Sequence, residues 1–212
     1  MILIVIFVLA VIGVNSYYRI SNQIFRLSPS QVNQILPTST SSCQKISSCK
    51  LNPGDILIRR YITSRTWLMN KLAHPYFTHS AMYLGDDQIV EAVGTEQKPE
   101  NDIQIAKLST SDWLNEDMND WVIIRPRNIT PKISIVMSNL KTIAADPEYL
   151  FGFSQNGRKR AACADLIFNQ LSENGVIKTL NVPGIITPDY LFSLASKNSD
   201  FEIVGYDIPI EK

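Results

Sequence analysis

The chain has 212 residues, of which 45% are hydrophobic and 19% charged, as in a globular protein with a sizeable core. Twenty basic residues balance twenty acidic ones, so the composition excludes binding of nucleic acid through a strongly basic surface. The length predicts one domain with a short N-terminal appendage.

The N-terminal segment is apolar from residue 1 to residue 14 and is followed by Tyr17 and Tyr18. It predicts a signal peptide or a membrane anchor over residues 1–18. No basic residue precedes Arg19, and the positive-inside rule would keep Arg19 in the cytoplasm, so the orientation stays open. A buried first strand is a third interpretation. We expect a membrane-anchored or exported protein, at the cell envelope or outside the cell, that contacts the membrane through its N-terminus.

Residues 19–50 are predicted to form a polar, poorly structured linker, because Pro29, Pro37 and a serine cluster interrupt any regular element. Cys43 and Cys49 either close a small disulfide loop in an oxidising compartment or remain ordinary reduced cysteines. Their spacing does not make the Cys-X-X-Cys arrangement of redox thiol proteins. No other Cys or His lies at ligand spacing, so we expect no metal site.

The globular domain is predicted to span residues 51–212 and to open with a Pro-Gly turn. Gly175 marks the end of one helix, and Thr187 followed by Pro188 marks the start of another. Strands are predicted at 56–58, 79–84, 88–93, 121–126 and 201–204, and helices at 63–72, 131–145, 163–174 and 187–192. This order predicts an α+β class, with an antiparallel sheet packed against helices.

Cys163 stands where a helix is predicted to begin. Its sulfur would face unpaired backbone N–H groups and the positive end of the helix dipole, which lower the pKa of a thiol. Arg158 and Arg160 add positive charge nearby. A lone helical cysteine is more often a small buried hydrophobic residue, so a catalytic role depends on a partner.

His79 lies on a predicted strand and is the candidate partner, 84 residues before the cysteine. Glu91, on the next strand, shares the face of His79 if the turn around residues 85–87 has an odd number of loop residues. An even number sends Glu91 to the other face. On the shared face its carboxylate would orient the imidazole. His74, the other histidine, precedes a proline in a loop and is expected at the surface.

Five short motifs follow one another along the chain: Gly54-Asp55-Ile56-Leu57, Thr78-His79-Ser80-Ala81-Met82-Tyr83-Leu84-Gly85, Val90-Glu91-Ala92, Cys163-Ala164-Asp165-Leu166 and Thr187-Pro188-Asp189. In this order they resemble the permuted NlpC/P60 superfamily. Within it, the YiiX-like branch of permuted papain-like amidases, cousins of the lecithin:retinol acyltransferase group, is the most similar. The likeness covers about residues 51–205. It implies a circularly permuted papain-like (NlpC/P60) fold, in which the histidine precedes the cysteine along the chain.

The resemblance implies that Cys163 is the nucleophile, His79 the general base and acid, and Glu91 the orienting residue, without any metal or organic cofactor. We therefore expect a cysteine hydrolase, of the amidase or thiol protease type, that acts through an acyl-enzyme thioester on cell-wall peptide or lipid-linked acyl substrates. A lipid acyltransferase or phospholipase-like enzyme is the alternative.

The neighbours of the cysteine depart from the family pattern. Ala162 stands where many members have a tyrosine, and Ala164 and Asp165 stand in place of a serine-glutamate pair. This departure favours a further alternative, a non-catalytic, membrane-tethered binding domain on the same scaffold.

Overall fold

A computed structural model describes residues 24–37, 43, 45–60, 75–93, 103–114, 120–127, 130–152, 160–178 and 182–208. The apolar segment at residues 1–18, the helix predicted at 63–72, His74 and Arg158 lie outside the described residues. Within the described ranges, no helix combines the length and hydropathy needed to cross a bilayer.

The described helices are α1 (Pro29–Ile35), α2 (Thr130–Ala145), α3 (Cys163–Glu173) and α4 (Pro188–Lys197). The strands are β1 (Ile56–Arg59), β2 (His79–Gly85), β3 (Gln88–Ala92), β4 (Ile103–Lys107), β5 (Trp121–Pro126), β6 (Leu150–Phe151), β7 (Arg160–Ala161) and β8 (Phe201–Asp207). Short 3₁₀ turns are found at Ile46–Ser48, Leu108–Thr110 and Asp112–Leu114.

Six of these strands form one antiparallel sheet, in the order β4-β3-β2-β1-β5-β8. Strands β6 and β7 pair in parallel as a separate ribbon. The predicted α+β class, an antiparallel sheet packed against helices, is confirmed. Strand β4 and the β6–β7 ribbon were not predicted.

The sheet separates two hydrophobic clusters, because successive side chains of a strand point to opposite faces. Ile56 and Ile58 of β1 face the larger cluster, where α2, α3 and α4 pack. Leu57, between them, faces a smaller cluster around Trp113 and Trp121, which we call the tryptophan cluster. Its buried members are Cys43, Ile46, Leu57, Ala81, Ile89, Leu108, Trp113, Trp121 and Ile123.

Part of the predicted linker is folded onto the domain. Ser28 caps α1 through a capping box, and Val32 of that helix is fully buried. The backbone N–H of Leu27 donates to the Asp189 carboxylate across a distance of 2.8 Å. The prediction of a poorly structured linker therefore does not hold for residues 24–37, whose buried apolar positions are spaced among polar ones.

Cys43 and Cys49 form a disulfide, with their Cα atoms 5.2 Å apart. Cys163 is a free, buried thiol. The disulfide encloses the turn at Ile46–Ser48, and both Cys43 and Ile46 are buried in the tryptophan cluster. Of the two states that the sequence left open for this pair, the structure shows the oxidised one.

The β2–β3 hairpin has a tight two-residue loop. Asp86 and Asp87 form this loop with positive φ angles of 49° and 61°, and Gly85 pairs with Gln88 on either side. Positive φ at both loop positions is typical of the turns that connect antiparallel strands, and Asp tolerates this conformation.

A β-bulge then changes the register of this hairpin. The pairing shifts by one residue between Tyr83 and Gly85, so that Ala81 pairs with Glu91. Without the shift, the even loop would place Glu91 on the face opposite to His79, as the sequence argument required. Because of the bulge, Glu91 lies on the same face as His79, one diagonal step away across the ladder.

Candidate active site

Cys163, the nucleophile predicted from the sequence, is the first residue of α3 and is buried. Ala162 occupies the N-cap in an extended conformation, and its side chain caps no backbone group. A Ser, Thr, Asp or Asn at this position would use one of the free N–H groups of the first turn. With alanine there, those donors remain available to an anion formed beside the sulfur.

His79 begins β2 and binds Glu91. The Nε2 atom of His79 lies 2.8 Å from Oε2 of Glu91, and the side chains are each 7% exposed. The His79 side chain is also hydrogen-bonded to the Cys163 thiol. Since Nε2 is occupied by the carboxylate, Nδ1 is the ring nitrogen left to face the sulfur. The three residues predicted from the sequence therefore meet in one hydrogen-bonded chain.

Glu91 accepts hydrogen bonds from three side chains. Its Oε2 atom accepts from His79 and also from Nε1 of Trp113, which lies 2.9 Å away. Its Oε1 atom accepts from Nε2 of Gln104 at 3.2 Å. Burial raises the pKa of Glu91, but the bonds from His79, Trp113 and Gln104 outweigh burial and lower that pKa to about 2. The carboxylate is therefore ionised at neutral pH.

The same network favours a charged imidazole and a charged sulfur. Burial lowers the pKa of His79, but its bonds to Cys163 and Glu91 outweigh burial and raise that pKa to about 9. Burial raises the pKa of Cys163, whereas His79 and the backbone N–H and hydroxyl of Ser80 lower it, with a net shift below its ordinary value. Both shifts favour the thiolate–imidazolium form of the pair, which is the reactive form of a catalytic cysteine.

Three residues around this network were not singled out from the sequence. Trp113 packs against His79, with ring centroids 5.3 Å apart and planes inclined by 31°. The guanidinium carbon of Arg59 lies 4.0 Å from the centroid of the Trp113 ring, and Arg59 is 3% exposed. Gln104 reaches Glu91 from the neighbouring strand β4. In the sequence, this group is marked by the position of Arg59 directly after the apolar run Ile56-Leu57-Ile58.

The segment that carries Trp113 is attached to the hairpin turn through Asp87. The Asp87 carbonyl accepts from the Leu108 N–H at 2.8 Å. Its carboxylate accepts from the Ser109 N–H at 2.8 Å and from the Ser109 hydroxyl. Asp87 therefore acts as a turn residue, as its position in the sequence indicated, and also fixes the chain that leads to Trp113.

Asp189, from the last of the five motifs, has a structural role next to the site. Its buried carboxylate accepts from the backbone N–H groups of Phe77 at 2.7 Å, Tyr76 at 2.9 Å and Leu27 at 2.8 Å. Burial raises the pKa of Asp189 to about 6, against the opposing effect of these three donors. Because Tyr76 and Phe77 lead directly into β2, Asp189 fixes the chain just before His79.

The part of the chain that the structure describes contains no group of three or more His, Cys, Asp or Glu side chains arranged to hold a metal ion. No protein-family model matches the sequence. No curated protein matches it either. Among solved structures, the fold is similar to that of the metalloprotein yiiX from Escherichia coli O157:H7, with a TM-score of 0.49 and 14% identity. That match covers 79% of this chain and 100% of the other. A likeness at this identity concerns the fold alone.

Proposed function

We propose that this protein is a cysteine hydrolase of the amidase or peptidase type that acts through an acyl-enzyme thioester. The observation that supports this most directly is the buried chain of hydrogen bonds from Cys163 through His79 to Glu91. In this chain Cys163 is the nucleophile, His79 the general base and acid, and Glu91 the residue that orients the imidazole.

The acylation step follows from these positions. The thiolate of Cys163 attacks the carbonyl carbon of an amide, peptide or ester, and the C–O π electrons move onto the oxygen. The N–H groups in the first turn of α3, which no side chain of the N-cap residue Ala162 uses, are the proposed donors to the resulting oxyanion. When the tetrahedral intermediate collapses, the bond to the leaving group breaks and the His79 imidazolium protonates that group.

Deacylation reverses the role of the histidine. The neutral imidazole of His79 takes a proton from water, and the hydroxide attacks the thioester carbon. The C–S bond breaks, which releases the acid and restores the thiolate. Glu91 stays ionised in both steps and stabilises the imidazolium whenever it forms. If an alcohol or amine replaces water, the same intermediate gives an acyltransferase, so a lipid acyltransferase or phospholipase activity uses the same three residues.

The unusual neighbours of the cysteine are compatible with this chemistry. Ala162 and Ala164 are buried beside Cys163, and the Asp165 carboxylate accepts from the Asn169 amide at 3.3 Å within α3. These contacts leave the bonds among Cys163, His79 and Glu91 in place. The departures from the family pattern therefore bear on substrate preference and on the oxyanion donors, and the non-catalytic binding domain remains the alternative to the proposed enzyme.

The proposed location is the cell envelope or the exterior. The Cys43–Cys49 disulfide supports an oxidising compartment, since such bonds persist in exported proteins and are rare in the cytosol. The apolar residues at the N-terminus fit either an export signal or a membrane anchor. A cell-wall peptide or a lipid-linked acyl group is the class of substrate found in these surroundings.

The test combines thiol labelling with a substrate panel. Wild-type protein, Cys163→Ala and His79→Ala are incubated with peptidoglycan fragments and with phospholipids, and adducts on the intact protein are measured by mass spectrometry. We expect an acyl adduct at Cys163 and no turnover by Cys163→Ala, which should keep its fold by circular dichroism. Full activity of Cys163→Ala ends the proposed mechanism. Iodoacetamide labelling at neutral pH should be fast in the wild type and slow in His79→Ala, and an unreactive wild-type thiol would favour a non-catalytic scaffold.

A further inference from the structure

We propose that Trp113 is a positioning residue of this site, whose indole N–H holds the Glu91 carboxylate in line with His79. The inference rests on the proposed function. It extends the arrangement of Cys163, His79 and Glu91 by a fourth residue, which acts on the carboxylate and not on the substrate.

One carboxylate oxygen of Glu91 is shared by two donors. His79 and Trp113 both donate to Oε2 of Glu91, at 2.8 Å and 2.9 Å. A glutamate side chain has several rotatable bonds, so a single hydrogen bond to His79 would leave the carboxylate free to turn. The indole N–H fixes the oxygen that binds the imidazole, and Gln104 fixes the other oxygen at 3.2 Å. Together these donors leave the carboxylate one orientation.

The indole ring of Trp113 packs against both His79 and Arg59. Its plane lies against the imidazole at a tilt of 31°, which restricts rotation of the His79 ring. The Arg59 guanidinium lies over the same indole, 4.0 Å from its centroid, in a cation–π contact. Trp113 is thus held by a buried cation while it holds both His79 and Glu91.

Trp113 is buried, with 2% of its surface exposed, and its indole contacts Glu91, His79 and Arg59. Because two of these contacts are with the site itself, we assign its effect on the reaction to Glu91 and His79, which makes it a positioning residue and not a catalytic one.

The experiment compares Trp113→Phe with Trp121→Phe. Both changes remove an indole N–H from a buried tryptophan of the same cluster, where each residue is 2% exposed. Trp121 lies on β5, which is separated from β2 by β1. It therefore provides a matched control for the loss of buried volume.

Two measurements distinguish positioning from a merely structural role. The first is the proton NMR signal of the hydrogen-bonded His79 Nε2–H, which should be present in the wild type and in Trp121→Phe and be lost by exchange in Trp113→Phe. The second is the rate of Cys163 alkylation by iodoacetamide as a function of pH. In Trp113→Phe we expect that rate to fall about tenfold at neutral pH, as one charge-assisted hydrogen bond is lost, and its midpoint to move to higher pH.

The outcomes separate this inference from the proposed function. If wild-type Cys163 is unreactive at neutral pH, the proposed function fails. If the wild type reacts and the two variants behave alike, the proposed function stands and the role of Trp113 is overturned. If Trp113→Phe does not fold, benzothienylalanine at position 113 keeps the ring shape and lacks the N–H. Loss of the His79 proton signal and slower alkylation of Cys163 in that variant would support the inference. A signal and an alkylation rate like those of the wild type would overturn it.

Discussion

His79 and Glu91 form a buried ion pair, with Nε2 and Oε2 2.8 Å apart and each side chain 7% exposed. Desolvation makes such a pair a poor source of net stability, and removal of one partner leaves an uncompensated buried charge. The pair is better explained by what it does to the neighbouring thiol.

Loss of Glu91 should cost less activity than loss of His79. Glu91→Gln keeps the size of the side chain but removes the charge that stabilises the imidazolium, so we expect kcat/KM to fall by about 10²-fold. His79→Ala removes the proton donor itself, and the loss should reach about 10³- to 10⁴-fold. Steady-state kinetics of both variants check this, and equal losses would contradict the supporting role of Glu91.

The rate of hydrolysis and the rate of Cys163 alkylation should depend differently on pH in the alkaline range. The pKa of His79 is raised to about 9, so the imidazolium that we propose as the proton donor to the leaving group is lost above that pH. Alkylation of Cys163 needs only the thiolate, which persists there. We therefore expect kcat/KM to decline above about pH 9, while the iodoacetamide rate does not decline. A parallel fall of both rates would show that His79 is not the acid.

The stability of the fold should depend on pH through the same pair. The lowered pKa of Glu91 stabilises the folded protein above about pH 4.5, and this contribution is lost as pH falls toward about 2. The raised pKa of His79 stabilises it below about pH 6.5, and this contribution is lost as pH rises toward about 9. The free energy of unfolding in urea should differ most between the wild type and Glu91→Gln from about pH 4.5 to 6.5. A difference that does not vary with pH would contradict the assigned shifts.

Ser80→Ala should lower the reactivity of Cys163 without destabilising the fold. The Ser80 hydroxyl is fully buried and lies close enough to the Cys163 sulfur to lower the pKa of the thiol. It nevertheless makes no hydrogen bond of full geometry with any described residue. A buried hydroxyl in that state costs about 1–3 kcal/mol, so its removal should leave stability unchanged or raise it.

The same substitution should raise the pKa of Cys163, because the thiolate loses a nearby donor. Urea unfolding and the pH profile of alkylation measure the two effects, and Ser80→Thr, which keeps the hydroxyl, is the control. An unchanged alkylation profile in Ser80→Ala would show that the hydroxyl does not act on the sulfur.

The sequence was sufficient to predict the sheet-and-helix architecture and to select Cys163, His79 and Glu91 as candidates, but it left the position of Glu91 conditional on the hairpin loop. The strong signals were a cysteine at a helix start with Gly175 at its far end, and strands of alternating or apolar residues around His79. The face occupied by Glu91 was not predictable. It depends on a β-bulge between Tyr83 and Gly85, and no residue type in this stretch predicts a bulge. The length of the loop alone would have placed Glu91 on the wrong face of the sheet.

The supporting residues were missed for a different reason. Trp113 lies in the one-turn 3₁₀ segment Asp112–Leu114, which is too short to show any periodicity. Gln104 lies on the edge strand β4, whose outward positions are partly exposed, so its pattern is weak. Residues 24–37 fall in the predicted linker because of Pro29 and Pro37, whereas Pro29 lies in the first turn of α1 and tertiary contacts such as the one with Asp189 hold the segment on the domain.

The Cys43–Cys49 crosslink links the maturation of the protein to its chemistry. Cys43 and Ile46 are packed in the tryptophan cluster with Trp113. The Cys43–Cys49 disulfide, which forms under oxidising conditions, therefore stabilises the packing around the indole that contacts His79. For an exported protein, we expect Cys163 to react slowly in the newly synthesised, reduced chain and to become fully reactive once the Cys43–Cys49 disulfide has formed. Slower alkylation of Cys163 in the Cys43→Ser, Cys49→Ser double variant would reveal this dependence, and an unaltered rate would refute it.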